Sequence, residues 1–314
     1  MLAMAALFLS ASCQKEALTH DLDKADAVVT FNVNIPEGIQ TKAISDGTTA
    51  KNLSYEVWYG EELIEKSYKE IKLVGLKATL EFRVVRGLEY TFVFWADSET
   101  SPYKWHNLKS INMEYGSANN GNSEDRDAFF GNIKISLPDD ADANNNNYTV
   151  TLTRPFAQLN FVSTDYTNGM TINGTTISTI ELVNSTINLN KVAQTFDASN
   201  GETDTVGSTA QFTANSLVNQ TFDDGTKGTW ISMNYILPIK GTDTIGVTAD
   251  FTLNIKTEDN ETLSVNPTTL KFNTGVPVKT NFRTNIIGNL FTEGGAITVN
   301  VDPALLGDNN VTVD

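Results

Sequence analysis

The chain has 314 residues, with 22 Lys and Arg against 38 Asp and Glu, and its net charge is −16. This negative charge argues against nucleic-acid binding, because nothing in the sequence can neutralise a run of phosphates. One cysteine excludes a disulfide framework, and two distant histidines leave little for a histidine-based site. The 40 Thr and 33 Asn favour strands and turns, and 31 of the Thr lie after residue 150. The composition therefore predicts an all-β protein of roughly two domains.

A short apolar run, MLAMAALFLSAS, opens the chain and ends at Cys13. It is shorter than the ~20 apolar residues that a membrane span needs, and it has the composition of a signal peptide. The stretch from Leu9 to Cys13 resembles a bacterial lipobox, in which the thiol is lipidated and becomes the first residue after cleavage. The polar residues that follow resemble the surface-export signal of Bacteroidota lipoproteins. We expect a signal at 1–13, lipidation of Cys13, and a tether at 14–26 to the outer membrane.

One feature of this segment departs from the usual pattern, and the segment also has a plainer interpretation. No Lys or Arg precedes the apolar run, although such a charge is usual in export signals. The plainer interpretation is an ordinary secretory signal with an incidental cysteine.

Past the tether, the first half of the chain reads as short strands with period-2 alternation. The turn at Arg86-Gly87 separates two such runs and predicts a hairpin. A polar loop is expected from Ile39 to Asn52. The predicted strands are Val29 to Ile35, Leu53 to Tyr59, Ala78 to Val84, Leu88 to Phe94 and Tyr148 to Leu152.

The second half repeats this style, and no segment holds a helical apolar pattern for more than a turn or two. Many short strands with frequent turns predict a sandwich or barrel. We place a domain boundary near Arg154-Pro155, which gives domains at 27–154 and 155–314. The predicted strands are Ile177 to Leu189, Trp230 to Leu237, Ile245 to Ile255, Thr269 to Phe272 and Ala296 to Val301.

No catalytic motif stands out in the sequence. There is no nucleophile elbow, zinc-protease motif, P-loop or dinucleotide fingerprint. The paired carboxylates Asp139-Asp140 and Asp223-Asp224 adjoin turn residues and read as solvated turns. We expect no enzymatic activity, no catalytic residues, no cofactor and no bound metal.

Three further patterns each have a plain and a functional interpretation. The acidic stretch Asp139 to Asn144 offers calcium ligands but lacks the glycine and terminal Glu of an EF-hand loop, so a plain loop is expected. The aromatic residues Tyr103, Trp105 and Tyr115 either stack on sugars or fill the core, and a core role is favoured. Two short segments, centred on Thr205 and Thr244, resemble the O-glycosylation motif of Bacteroidota exported proteins.

Three longer segments together resemble the fimbrillins, the type V pilins of Bacteroidota. They are Gln40 to Gly47 after the first strand, Leu152 to Phe161 at the boundary, and Val276 to Leu290 near the C-terminus. The resemblance implies two transthyretin-like β-sandwich domains in tandem, an all-β fold without enzymatic activity. It also implies a structural subunit of a surface fimbria that supports adhesion.

The assembly mode that the resemblance implies is strand exchange. A trypsin-like protease removes the first strand, and a strand of the next subunit enters the vacated groove. Lys42 occupies the cleavage position here, so the new terminus would be Ala43. The commoner residue is Arg, and this departure places processing, and with it the stalk role, in question. An uncut subunit would keep its lipid and serve as the anchor.

The donor strand is predicted near the C-terminus. The segment from Ile297 to Asp302 echoes the first strand, with Ile297, Val299 and Val301 at alternate positions. The plainer interpretation is that any half-buried strand alternates in this way. In an uncut subunit the donor would lie on its own second domain or stay loose.

The partners expected are other fimbrial subunits, the processing protease and the outer membrane through the lipid. The alternative is a monomeric surface lipoprotein that binds glycans or host ligands on the same scaffold. A hydrolase of unknown class is a third alternative, which the missing motifs disfavour.

Overall fold

The computed structural model describes residues 25–36, 46–116, 119–172, 174–218, 228–265, 269–291 and 297–302. These residues form strands, turns and a single 3-10 turn at Glu124–Arg126. The strands of the first half are β1 (Ala27–Asn34), β2 (Asn52–Tyr59), β3 (Glu62–Lys72), β4 (Lys77–Val84), β5 (Glu89–Asp97), β6 (Lys104–Trp105), β7 (Ile111–Asn112), β8 (Phe129–Ser136) and β9 (Asn146–Thr151).

The second half continues the all-β pattern that the composition predicts. Its strands are β10 (Ala157–Ser163), β11 (Thr171–Ile172), β12 (Thr175–Val192), β13 (Thr195–Asp197), β14 (Glu202–Thr203), β15 (Ser208–Ala214), β16 (Thr229–Ile236), β17 (Thr244–Thr257), β18 (Thr262–Val265), β19 (Leu270–Pro277), β20 (Arg283–Gly288) and β21 (Ile297–Asp302).

The first-half strands make a β-sandwich. One sheet has the order β4-β1-β9 and the other the order β3-β2-β5-β8. The sheets meet through their apolar faces: the ring of Phe31 in β1 lies 4.5 Å from that of Phe92 and 5.5 Å from that of Phe94, both in β5. Alternate residues of β1 and β4 therefore face one core, as period-2 alternation requires.

The second-half strands make another β-sandwich. One sheet runs β16-β10-β20-β21, and the other runs β11-β12-β17-β18, with β15 and β19 paired to β12 and β17. Phe161 in β10 lies 5.2 Å from Phe251 in β17, ring centre to ring centre, so the two sheets again bury facing apolar rows. The all-β, sandwich-like fold is the one that the sequence predicts.

A small antiparallel sheet, with strands from both halves of the chain, joins the two halves. Its order is β14-β13-β7-β6, with Phe196 opposite Ile111 across the junction. The Trp95 ring of β5 lies 6.2 Å from Phe196 and 6.4 Å from Phe156, so one apolar core runs from the first sandwich into the second. Strand β5 is buried on both faces as a result.

The predicted boundary near Arg154-Pro155 falls between β9 and β10, in a fully packed environment. The Arg154 guanidinium donates two hydrogen bonds to the Asp127 carboxylate, at 2.6 and 2.8 Å, and lies over the Phe129 ring. Both charged side chains are buried. Removing one partner of a buried ion pair of this kind strongly destabilises the fold, because the other charge is left without compensation.

The predicted hairpin is wrong. Strands β4 and β5 lie in opposite sheets: β4 pairs with β1, whereas β5 pairs with β2 and β8. Consecutive strands that cross between two sheets bury one face each toward the same core, so they show the alternation of a hairpin without its hydrogen bonds. At the intervening turn, the Gly87 amide donates to Leu137 rather than across a hairpin.

The predicted loop from Ile39 to Asn52 is described only from residue 46, and residues 46–51 contain no strand. Ala50 is buried, and Asn52 begins β2. The backbone of Lys51 is hydrogen bonded on both sides, to Asp97 and to Leu73. Lys51 is therefore a poor site for a protease, which needs backbone that can open.

Candidate functional site

Three residues of the predicted lipidation and cleavage sites lie outside the described residues. They are Cys13, the predicted lipidation site, and Lys42 and Ala43, which flank the predicted cleavage. The structure does describe the two strands that the predicted strand exchange involves.

Strand β1 is the central strand of its sheet. It pairs antiparallel with β4 along eight residues and parallel with β9 along six, so both of its backbone edges are used. Val29 and Phe31 are fully buried and Val33 is 1% exposed. Between these residues, Asn32 is exposed and Thr30 partly so, which matches the period-2 pattern.

Phe31 is the centre of the apolar cluster that β1 enters. Its ring contacts Phe82, Phe92, Phe94 and Tyr148 at centroid distances of 4.5 to 5.8 Å. The contacts come from β4, β5 and β9, so one side chain connects three neighbouring strands. Removal of β1 would expose a slot lined by these rings and would leave backbone groups of β4 and β9 unpaired.

Strand β21 lies at the end of the other sandwich. It pairs antiparallel with β20, with Ile297 opposite Gly288, Val299 opposite Ile286 and Val301 opposite Thr284. Within the described part of the chain, no strand pairs with its second edge. Ile297 packs against the core, whereas Val299 is 38% exposed.

The two candidate glycosylation sites are exposed. Thr205 follows Asp204, whose carboxylate accepts hydrogen bonds from the amides of Gln194 and Thr195. Thr244 opens β17, and its side chain lies against Gly275. Both hydroxyls lie in the second half of the chain; their modification stays a prediction.

The aromatic trio divides into two core residues and one surface residue. Tyr103 and Tyr115 are buried, at 5% and 4% exposure. The Tyr103 hydroxyl donates to the Arg126 carbonyl, and the Tyr115 hydroxyl accepts the Leu237 amide; burial raises the pKa of both hydroxyls. Trp105 is only half-buried. The two tyrosines are therefore core residues, whereas Trp105 packs against the core without being fully buried.

Trp105 borders an open cleft of about 590 Å³ where the two halves of the chain meet. Strand β3 contributes Lys69, the segment around β6 and β7 most of the wall, and β13 a single threonine. The lining residues are Lys69, Tyr103, Lys104, Trp105, His106, Ser110, Asn112, Glu114 and Thr195.

Lys69 reaches this cleft through an irregularity in β3. The register between β2 and β3 shifts near this point, and the Lys69 backbone is left-handed, with φ of 59°. Its amide donates to the Ser54 hydroxyl, and its ammonium lies 3.2 Å from the buried Asp97 carboxylate and 5.1 Å from the Trp105 ring centre. Sequence reasoning missed Lys69, because β3 has no period-2 alternation and its sequence carries no signal of a bulge.

Burial raises the pKa of Asp97 above its ordinary value, and this effect outweighs the opposing influence of the Lys69 ammonium and of the hydrogen bond from Trp95. The carboxylate is fully buried. Ionised Asp97 is therefore an energetic cost to the fold that Lys69 only partly offsets.

The acidic loop forms an ordinary turn. Asp139 and Asp140 are exposed, and Asp142 accepts the amide of Asn144 two residues on. Nowhere in the described residues do three His, Cys, Asp or Glu side chains come together as a metal site. The pair Asp223-Asp224 lies outside the described residues.

Among the described residues, no helix is long and apolar enough to cross a membrane.

Solved structures with a comparable course of the chain come from several Bacteroidales. A candidate cell adhesion protein from Bacteroides eggerthii gives a TM-score of 0.47 at 11% identity, covering 88% of this chain and 95% of its own. Candidate polysaccharide-binding proteins from Bacteroides thetaiotaomicron give 0.45 at 11%, covering 88% and 97%. The tip fimbrial protein Mfa3 from Porphyromonas gingivalis, truncated at its C-terminus, gives 0.37 at 12%, covering 88% and 99%. At these scores the likenesses assign no function.

A comparison with curated protein sequences gives no match. The model of a protein family does match, over residues 22–314, which is nearly the whole chain. The chain therefore belongs to DUF6562, a family of unknown function.

Proposed function

We propose that the protein is a structural subunit, stalk or anchor, of a cell-surface fimbria that assembles by strand exchange and supports adhesion. The observation that carries this proposal is the position of β1. It is the first described strand, it is central in its sheet, and its core-facing side chains, from Ala27 to Val33 at alternate positions, are at most 3% exposed.

The energetics of β1 explain why its removal would drive assembly. Val29, Phe31, Val33 and the following Ile35 are each at most 2% exposed. At ~1.5–3 kcal/mol per buried side chain, these four contribute roughly 6–12 kcal/mol. This is comparable to the ~5–15 kcal/mol that stabilises a whole domain. A subunit without β1 therefore needs a replacement strand of the same pattern.

Strand β21 has the features of such a replacement. It carries Ile297, Val299 and Val301 at alternate positions, as β1 carries Val29, Phe31 and Val33. Its backbone is paired on one edge only among the described strands, and Val299 is 38% exposed on its own subunit. Transfer to a β1-type slot would pair both edges and bury the exposed valine, so the strand gains contacts by leaving.

Two chemical steps outside the described residues complete the proposal. Lipidation of Cys13 would hold the newly exported chain at the outer membrane, at the cell surface. Cleavage between Lys42 and Ala43 by a trypsin-like protease would release the lipid and β1 together. A subunit that escapes cleavage keeps both and would act as the anchor. Every donating subunit offers its strand head to tail, which gives an open filament.

Controlled proteolysis of the purified full chain tests the proposal. We expect brief trypsin treatment to produce an N-terminus at Ala43, identified by mass spectrometry, and a ladder of SDS-resistant multimers. The matched control is Lys42→Ala, which should give neither. A chain that is cut at Lys42, loses β1 and stays monomeric would contradict strand exchange. That outcome would favour the monomeric, ligand-binding lipoprotein.

A further inference from the structure

The cleft beside Trp105 has the chemistry of a binding site. Its volume of about 590 Å³ falls within the ~300–1,000 Å³ typical of small-ligand sites. None of its lining residues belongs to β1 or β21, so whatever it binds is independent of the proposed assembly.

The aromatic wall of the cleft is an exception among the tryptophans. Trp58, Trp95 and Trp230 are at most 7% exposed, whereas Trp105 is half-buried and borders the cleft. Its ring is held in place by Tyr68, at 6.2 Å and 86°, and by Trp95, at 6.4 Å and 62°. A fixed, partly exposed indole offers an electron-rich surface on which the C–H groups of a sugar ring can pack.

The remaining wall is polar and offers both donors and acceptors of hydrogen bonds. It presents hydroxyl groups from Ser110 and Thr195, an amide from Asn112, and an imidazole from His106. Ser110 and His106 are exposed. Sugar hydroxyls need this mixture, because each donates one hydrogen bond and accepts others.

The charges of the cleft compensate one another. The Lys69 ammonium lies 3.2 Å from Asp97, and the Lys104 ammonium lies 3.3 Å from Glu114. Neither lysine therefore offers an uncompensated positive charge to an anionic ligand. The chain as a whole carries a net charge of −16, which repels acidic polymers.

We infer that this cleft is a binding site for neutral saccharides, with a sugar ring stacked on Trp105 and its hydroxyls bonded to the polar wall. The platform is set before binding, since the β3 irregularity places Lys69 against both Asp97 and the indole.

Binding is tested with the full chain on a printed array of neutral and acidic glycans, followed by titration of the soluble oligosaccharide that gives the strongest signal. We expect neutral glycans to bind and to change the tryptophan fluorescence. The Trp105→Ala variant should weaken binding at least tenfold. Trp105→Phe should retain part of the affinity while losing the fluorescence change.

Two more variants separate stacking from folding. Ser110→Leu places a larger aliphatic group on the exposed rim, away from the core, and should also weaken binding at least tenfold. Tyr59→Ala removes a 40% exposed aromatic residue elsewhere on the first sandwich and should leave binding unchanged. No binding to any neutral glycan, binding to acidic glycans alone, or equal affinity of the wild type and the Ser110→Leu variant would each overturn the inference.

Discussion

Strands β1 and β21 have nearly the same sequence pattern and opposite surroundings. Each places aliphatic or aromatic side chains at alternate positions with Thr, Asn or Asp between. In β1 both backbone edges are paired and Phe31 is fully buried, whereas β21 pairs only with β20 among the described strands and Val299 is 38% exposed. The pattern therefore fixes which face of a strand is apolar, and the neighbouring strands decide how much of that face is buried.

The largest effect is expected from a double variant that tests whether β21 can replace β1 in its slot. Replacing Val299 and Val301 by Asp would put two charges into the slot that β1 leaves, and an unpaired buried charge costs several kcal/mol or more. We expect no SDS-resistant multimers after cleavage at Lys42. The uncut double variant should remain folded by circular dichroism. Normal multimers from the double variant would show that another segment is the donor, for example Asn309 to Asp314.

The next effect measures how much more β1 contributes to stability than β21. Phe31→Ala removes a ring that contacts four others, and we expect a loss of about 3–5 kcal/mol in the free energy of unfolding. Val299→Ala is the matched variant in β21, with an expected loss of about 1 kcal/mol or less. Urea titration of both variants gives the difference, and equal losses would refute the contrast.

Hydrogen exchange should show the same contrast without any substitution. Amides of an edge strand can exchange by local opening, whereas those of a central strand need a larger unfolding event. We expect the slowest amides of β1 to exchange at least tenfold more slowly than those of β21, which is about 1.4 kcal/mol. Exchange measured by NMR on the uncut chain decides the point.

The smallest expected effect is a pH dependence of stability. It arises from Asp97, which lies in the same sandwich as β1. The folded state raises the pKa of Asp97 above its ordinary value of 3.8, so the folded protein retains this proton to higher pH than the unfolded chain. The stability that Asp97 contributes is complete below that ordinary value and is lost as pH rises through the folded pKa. Asp97→Asn should remove this part of the pH dependence. Urea titrations of the variant and the wild type, run in parallel from pH 3.5 upward, give the free energy of unfolding at each pH. An identical change with pH in both proteins would contradict the prediction.

Local pattern predicts the strands far better than it predicts their partners. Val29 to Ile35, Tyr148 to Leu152 and Trp230 to Leu237 all fall on observed strands, with ends shifted by one or two residues. The hairpin between β4 and β5 was wrong, because alternation reports burial of a face and contains no information on hydrogen-bond partners. The pairing of β1 with β9 lies equally beyond local pattern.

The candidate sites show where sequence signals end. Strand β5 did carry a signal: the apolar run from Tyr90 to Ala96 has almost no polar break, which is typical of a strand buried on both faces. Strand β3 carried none, since its charged residues do not alternate with apolar ones and none of its residues is fully buried. Trp105 reads as a core residue by composition, and only the packed structure shows its ring at the edge of a cleft.

The parallel pairing of β1 with β9 also sets an order of events in folding. Val29 lies opposite Asn146, and Asn34 lies opposite Thr151, so β1, the first described strand, finds one of its two neighbours only after the chain has been synthesised as far as β9, the last strand of the first sandwich. Contacts this distant in sequence close slowly, because the loss of chain entropy precedes the gain in contacts. The slot that β1 fills is therefore not complete until β9 is available to pair with it. A strand from outside has its best opportunity to enter at that stage, before the chain's own N-terminal segment has closed the sheet.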